Sequence, residues 1–396
     1  MAGACRLTDQ ERLSAPRPDR GAAKMPPLLM RTLVSIVLLL VDGCFALAHW
    51  PGQPNHRMAY LGDFALERGG VINDLKISYV THGTLSAAKD NAILFMHTFG
   101  SNHHQFDHLI GPGRPLDTDK YFVICPDLLG STQTTFEHST SPTNSGLKMQ
   151  FPLYNGRDVV RANHQLVTQV LGIPHLLAAT GFARGGIFAL QLAVSYPDFV
   201  DAIVPISASA RVGTTTFFRL QMLLSLIESC EGWQDGNYDV NPKRCIANAM
   251  SLLIPYMYTP EYWVQYVDTP EAYTKWRNTM GDYYLDIQDA RDVYYLIKSG
   301  GHGSLADTPG FGGDIFAALR SIRAKTLFIG NRRDEIIPPD RVEADAGTIP
   351  NARVVWIDSV AGHNICCNAD PQATRLVGEA IRDFVEELAA REEGNR

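Results

Sequence analysis

The chain has 396 residues, 45% of them hydrophobic and 19% charged, with a formal net charge of −7. That is enough apolar material for one large core plus an inserted subdomain, which excludes disorder for all but roughly the first thirty residues, rich in Arg, Pro and Ala. The negative balance and the lack of a basic block exclude nucleic acid as the expected partner.

In chain order, the first feature is an address. Leu33 to Val41 (LVSIVLLLV) is an apolar run preceded by Arg31 and followed by Ala46-Leu47-Ala48, whose small residues suit signal peptidase. A bilayer span needs about 20 apolar residues, and Asp42 interrupts this run, so no membrane span is expected. Residues 1–48 therefore read as a leader and signal peptide, with Met25 as an alternative start and a secreted or periplasmic product. Another reading makes Cys44 a lipid-anchor site, although Asp42 fits that pattern poorly.

Residues 49–210 carry alternating strand and helix patterns. Ala92 to Met96 is a short apolar strand that runs into His97-Thr98-Phe99-Gly100. His103, His104, Asp107 and His108 follow, and His104 and His108 would share one helix face. Because no fourth ligand of matching pattern is visible, the stretch reads as a polar loop and no metal site is expected. Tyr121 to Cys125 is a second strand, and Cys125 reads as plain core.

Leu176 to Thr180 reads as a buried strand and Gly185 to Tyr196 as the helix after it. Gly181-Phe182-Ala183-Arg184-Gly185 joins them in the form of a nucleophile elbow, a tight turn that lifts one side chain above a parallel sheet. Alanine stands where the attacking serine belongs. With no ionisable group and no lone pair, Ala183 cannot form an acyl-enzyme, so covalent serine catalysis is excluded at this position.

From 211 to 310 the alternation breaks into aromatic, helical patterns such as Phe217-Phe218-Arg219-Leu220, which read as a helical lid over the site. Cys230 and Cys245 flank a polar stretch there and are a disulfide candidate in an oxidising compartment. Cys366 and Cys367, further on, read as packing residues.

Residues 311–396 complete the core. Lys325 to Gly330 is a strand that breaks into Asn331-Arg332-Arg333-Asp334, and Arg353 to Asp358 is another that leads to Ala361-Gly362-His363. Elbow, acid and histidine thus occur in the chain order of hydrolases with a mostly parallel sheet flanked by helices. In such a site His363 would be the base and Asp334 would fix its tautomer.

These segments, together with Gly111-Pro112-Gly113, Leu116-Asp117, Leu128-Leu129-Gly130-Ser131 and Tyr196-Pro197-Asp198, resemble the homoserine O-acetyltransferase-like proteins of the α/β-hydrolase fold. The resemblance runs from about Tyr60 to Leu388. It implies acyl transfer from an acyl-coenzyme A to a hydroxyl, or ester hydrolysis, with a triad degenerate at Ala183. It also implies an oxyanion hole from the backbone N–H of Arg184 and one from Thr98 or Phe99. Arg219 is the nearest candidate for holding a substrate carboxylate, and the resemblance is compatible with a homodimer.

The expected ligand is a small-molecule acyl ester or hydroxyl compound. No phosphate loop or dinucleotide fingerprint is present, so no cofactor is expected beyond acyl-coenzyme A as a donor substrate. Two other functions fit the same residues. One is a non-covalent lyase, isomerase or cyclase in which His363 and Asp334 abstract a proton; the other is a catalytically inactive ligand-binding protein.

Overall fold

The computed structural model describes residues 55–131, 138–300 and 304–395. The leader, its cleavage site and Cys44 lie outside the described residues. Eight strands form one sheet: β1 (Arg57–Ala65), β2 (Val71–His82), β3 (Ala92–Met96), β4 (Phe122–Pro126), β5 (Leu176–Phe182), β6 (Val200–Ile206), β7 (Lys325–Asn331) and β8 (Ala352–Ile357). Their spatial order is β1-β2-β4-β3-β5-β6-β7-β8. The β1–β2 and β2–β4 pairs are antiparallel, and every pair from β4 to β8 is parallel.

A parallel sheet covered on both faces has no solvent side, so its strands need unbroken apolar runs instead of alternation. β3, β4 and β5 are buried at every residue. The helix α1 (Gly156–Gln165) begins at a capping box in which Asn155 and Asp158 satisfy each other's backbone N–H groups. The next helix, α2 (Arg184–Ser195), presses its first turn against β3 and β6.

That approach depends on glycine. A Cβ on Gly185 would lie 2.1 Å from the Met96 carbonyl oxygen, and one on Gly186 would lie 2.5 Å from Ala208 Cβ. Only hydrogen fits there, so helix and sheet meet backbone to backbone.

After β6 the chain leaves the sheet and, between 214 and 300, builds five α-helices among the described residues: α3 (Thr214–Glu228), α4 (Lys243–Leu253), α5 (Pro260–Tyr266), α6 (Pro270–Ile287) and α7 (Ala290–Gly300). These helices fall inside the stretch 211–310. Cys230 and Cys245 are joined, with sulfurs 2.02 Å apart, and tie the end of α3 to the start of α4. A buried polar knot holds the base of α7: Tyr238 Oη donates to Asp289 at 2.6 Å, and the Arg291 guanidinium donates to the Gly236 and Tyr238 carbonyls. Each of these groups is buried, so the pairing offsets a desolvation cost that unpaired groups would carry in full.

After the lid come α8 (Ile315–Arg320), α9 (Pro339–Thr348) and α10 (Pro371–Asn395), of which α9 and α10 pack against β7 and β8. Among the described residues, no helix is long and apolar enough to cross a membrane.

Candidate active site

The elbow forms at the end of β5. Ala183 has φ +50° and ψ −111°, and its N–H donates to the Ile206 carbonyl at 2.8 Å. A left-handed φ on a residue with a Cβ costs of order 1–3 kcal/mol and persists only where the surroundings impose it. Here the flanking glycines do so: a Cβ on Gly181 would stand 2.4 Å from the Gly185 carbonyl carbon.

Asp334 and His363 sit beyond the ends of β7 and β8 and are both buried. His363 Nδ1 donates to Asp334 Oδ2 at 2.7 Å. The other carboxylate oxygen accepts the backbone N–H groups of Ile336 and Ile337 at 2.8 and 2.9 Å, so the acid is fixed from both sides. Because Nδ1 keeps the proton that it donates to Asp334, His363 Nε2 carries the lone pair a base needs.

Sequence reasoning missed what holds the histidine loop. Asn331 Nδ2 donates to the carbonyls of Ser359 and Gly362 at 2.8 and 2.7 Å, while the His363 N–H donates to the Met257 carbonyl at 2.8 Å. Gly362 has φ +61°, and a Cβ there would meet Met257 O at 2.8 Å. The lid therefore grips the backbone of the base itself. An asparagine closing an apolar strand just before an acid was the only signal of this role.

Two backbone N–H groups are candidates for holding an oxyanion. Arg184 opens α2, where its N–H has no intrahelical acceptor and the helix dipole favours negative charge. In the loop after β3, the Thr98 N–H already donates to Gln105 Oε1 at 2.8 Å, which leaves Phe99 as the amide of the pair that has no protein acceptor among the described residues. The loop is pinned by His97, whose Nδ1 donates to the Thr98 carbonyl at 2.9 Å and whose Nε2 accepts from the Leu128 N–H. Burial keeps His97 neutral and lowers its pKa to about 4, although the Asp127 charge pulls the other way.

Ala183, Phe99, Arg184 and His363 line one cavity of about 530 Å³ beneath the lid. Most of its wall is apolar, and no Asp or Glu among the described residues lines it. Two arginines do. Arg184 lies over the rings of Phe188 and Tyr154 and donates to Tyr154 Oη at 3.3 Å. Arg211 has an Nε that is buried without an acceptor among the described residues. No carboxylate among the described residues forms an ion pair with either one.

Arg219 is not brought to this cavity. It stacks 3.6 Å from the Tyr256 ring centroid and donates to the Glu335 carbonyl at 3.3 Å, because its position on α3 faces away from its cavity-lining neighbour Leu220. His108 also leaves its expected partner: its Nε2 donates to the Cys366 carbonyl at 2.9 Å and does not join His104.

Residues 91–241 match the model of the alpha/beta hydrolase fold. The chain is 31% identical over 360 residues to a homoserine O-acetyltransferase of Moorella thermoacetica, covering 82% of this chain and 95% of the relative. Among solved structures, it is similar to an acetylester hydrolase from Corynebacterium glutamicum, with 26% identity and a TM-score of 0.75 over 84% of this chain and 96% of that one. It also shares the fold of homoserine O-acetyltransferase from Bacillus anthracis, at 23% identity and a TM-score of 0.74, over 84% of this chain and 98% of that one. With elbow, acid and histidine following their strands in order and this identity along almost an entire relative, the chain belongs to the homoserine O-acetyltransferase-like family of α/β-hydrolase-fold proteins.

Proposed function

We propose that the protein transfers or hydrolyses acyl groups without an acyl-enzyme, using His363 as a base on the attacking molecule itself. The observation that carries this reading is the intact, buried Asp334–His363 pair in a cavity whose nucleophile position is a methyl group. With a methyl group at residue 183, the attacking oxygen comes from a water or an acceptor hydroxyl in this reading.

In the proposed step, His363 Nε2 takes a proton from that water or hydroxyl as its oxygen bonds to the acyl carbonyl carbon. The oxyanion accepts from the backbone N–H groups of Arg184 and Phe99. When the tetrahedral adduct collapses, the bond to the leaving oxygen or sulfur breaks and the imidazolium returns the proton to it. Such a route lacks the two-step advantage of a covalent intermediate, yet base catalysis typically supplies about 10²–10⁴-fold and an oxyanion hole adds to it.

The two arginines and the absence of acids among the described wall residues favour a substrate with an apolar acyl or alcohol part and one anionic group. Arg184 and Arg211 are the residues that would meet it. Acyl-coenzyme A is the donor proposed for the transfer branch.

The test is turnover of a panel of acyl esters, neutral and carboxylate-bearing, with and without acyl-coenzyme A, by the chain and by His363→Ala. Turnover that depends on His363 and prefers carboxylate-bearing esters supports the reading. Turnover indifferent to His363 overturns it, and ligand binding with no turnover by either form would make the protein a binder.

A further inference from the structure

A second cluster lies outside that cavity, where the described chain begins. His56 precedes β1, and its Nε2 is 2.9 Å from His103 Nε2 and 2.9 Å from His104 Nε2. The ligand atoms of the three imidazoles all fall within 4.8 Å of one another. The side chains of His103 and His104 are fully buried, while His56 is half-buried. None of the three lines the cavity under the lid.

The carboxylates behind the rings decide what these nitrogens offer. His103 Nδ1 lies 3.0 Å from Asp127 Oδ1, and His104 Nδ1 lies 2.9 Å from Asp107 Oδ2. At His104 the hydrogen bond to Asp107 places the proton on Nδ1 and turns the Nε2 lone pair towards His56, while at His103 the Asp127 carboxylate stands beside Nδ1 and accepts the His103 backbone N–H at 3.2 Å. The Nε2 atoms of His103 and His104 both turn to His56 Nε2, so three imidazole nitrogens converge on one point. Such a convergence of imidazole nitrogens is the donor set of a transition-metal ion.

The geometry points to a divalent transition-metal site of the zinc class, with His56, His103 and His104 as ligands through Nε2 and Asp127 and Asp107 as their orienting carboxylates. Tetrahedral zinc with nitrogens at about 2.0–2.1 Å places them roughly 3.3 Å apart, so the two short separations need to open by only about 0.4 Å. Three neutral imidazoles suit zinc, copper or nickel and are poor ligands for magnesium or calcium, which take oxygen. Among the described residues, these three imidazoles are the ligands available to the ion.

The pattern was hidden in the sequence because one ligand lies 47 and 48 residues before the other two, and because His108 has the better helical spacing with His104 but turns to Cys366. Metal at this position would tie the segment ahead of β1 to the loop from 100 to 106. That loop carries Gln105, whose side chain holds the Thr98 N–H beside the oxyanion position. The ion would act as a structural clasp on that loop.

The experiment is to strip the full chain with EDTA and titrate it with Zn²⁺ alone by calorimetry, with elemental analysis for stoichiometry and Co²⁺ absorption for geometry. One zinc per chain is expected, with a tetrahedral Co²⁺ spectrum, a higher thermal midpoint and no response to Mg²⁺. Asp127→Asn should weaken binding by about 10–100-fold, the range for a lost orienting carboxylate, and His56→Ala by more than that. His108→Gln should bind as the parent does. His56 is half-buried at the start of β1, so its variant is the one least exposed to a folding defect, which circular dichroism checks. Absence of stoichiometric zinc in the parent, or binding unchanged in a folded His56→Ala, would overturn the assignment and leave a hydrogen-bonded histidine cluster.

Discussion

Asp334 Oδ2 accepts the Nδ1 proton of His363 at 2.7 Å, opposite a residue that has no nucleophile to activate. The pair is buried and over-determined by backbone donors and by Asn331, which is more order than a disused site needs. His363→Ala should lower ester turnover by about 10²–10⁴-fold without loss of fold, and Asp334→Asn should reduce it in the same range by upsetting the tautomer. Steady-state kinetics with circular dichroism as the control checks both. Ala183→Ser should add a burst of acylation that is abolished by His363→Ala, and a serine variant without one would mean that the elbow does not aim its side chain at the substrate.

Gly185 has no room for a methyl group. With its Cβ 2.1 Å from Met96 O and 2.8 Å from His97 O, Gly185→Ala must push α2 off β3. Since both contacts are backbone, no rotamer relieves them, and the variant should be insoluble or lose turnover together with its sharp thermal transition. Gly347 on α9 is the control: a methyl group there would have no heavy atom within 4 Å, and its φ lies outside the left-handed region, so Gly347→Ala should be tolerated.

His97 makes stability depend on pH. Its folded pKa is lowered to about 4 against 6.5 for the free side chain, so below 6.5 the unfolded chain binds a proton that the native state refuses. The contribution is fully present above about pH 6.5 and is lost as pH falls towards 4, by up to roughly 3 kcal/mol. Urea midpoints measured from about pH 7.5 down to about 4.5 should fall steadily, and His97→Gln, weaker at neutral pH, should show a shallower slope.

The Cys230–Cys245 bond closes a loop with a sequence separation of 15 at the outer edge of the lid. Loop-closure entropy gives such a link about 3 kcal/mol, an upper expectation because reduced chains retain structure. The double variant Cys230→Ser/Cys245→Ser should therefore unfold at lower urea by that amount or less. A larger loss would show that the lid and core unfold as one unit.

Much of the fold was legible because parallel strands announce themselves as apolar runs and because glycine, acid and histidine punctuate them in order. The apolar run from Ala92 to Met96 is β3 to the residue, whereas the run that ends at Thr180 in the pattern continues to Phe182 in the sheet, because Gly181 and Phe182 still pair with β6. Asp334 and His363 were readable since each follows a strand directly. Arg211, Gln105 and Asn331 were not, because their roles come from contacts across the fold that no local pattern encodes. Arg219 shows the same limit in reverse: one residue of helical phase separates a side chain in the cavity from one stacked on Tyr256.

The alanine at the turn has a practical corollary for anyone seeking this protein in a mixture. Fluorophosphonates and related inhibitors label α/β-hydrolases by bonding to the elbow Oγ, and Ala183 presents only a methyl group to them. The protein would pass unseen through a chemoproteomic screen for serine hydrolases while keeping the base, the acid and the roofed chamber of one. Its activity has to be sought with substrates, and a single added oxygen atom at residue 183 would make it visible.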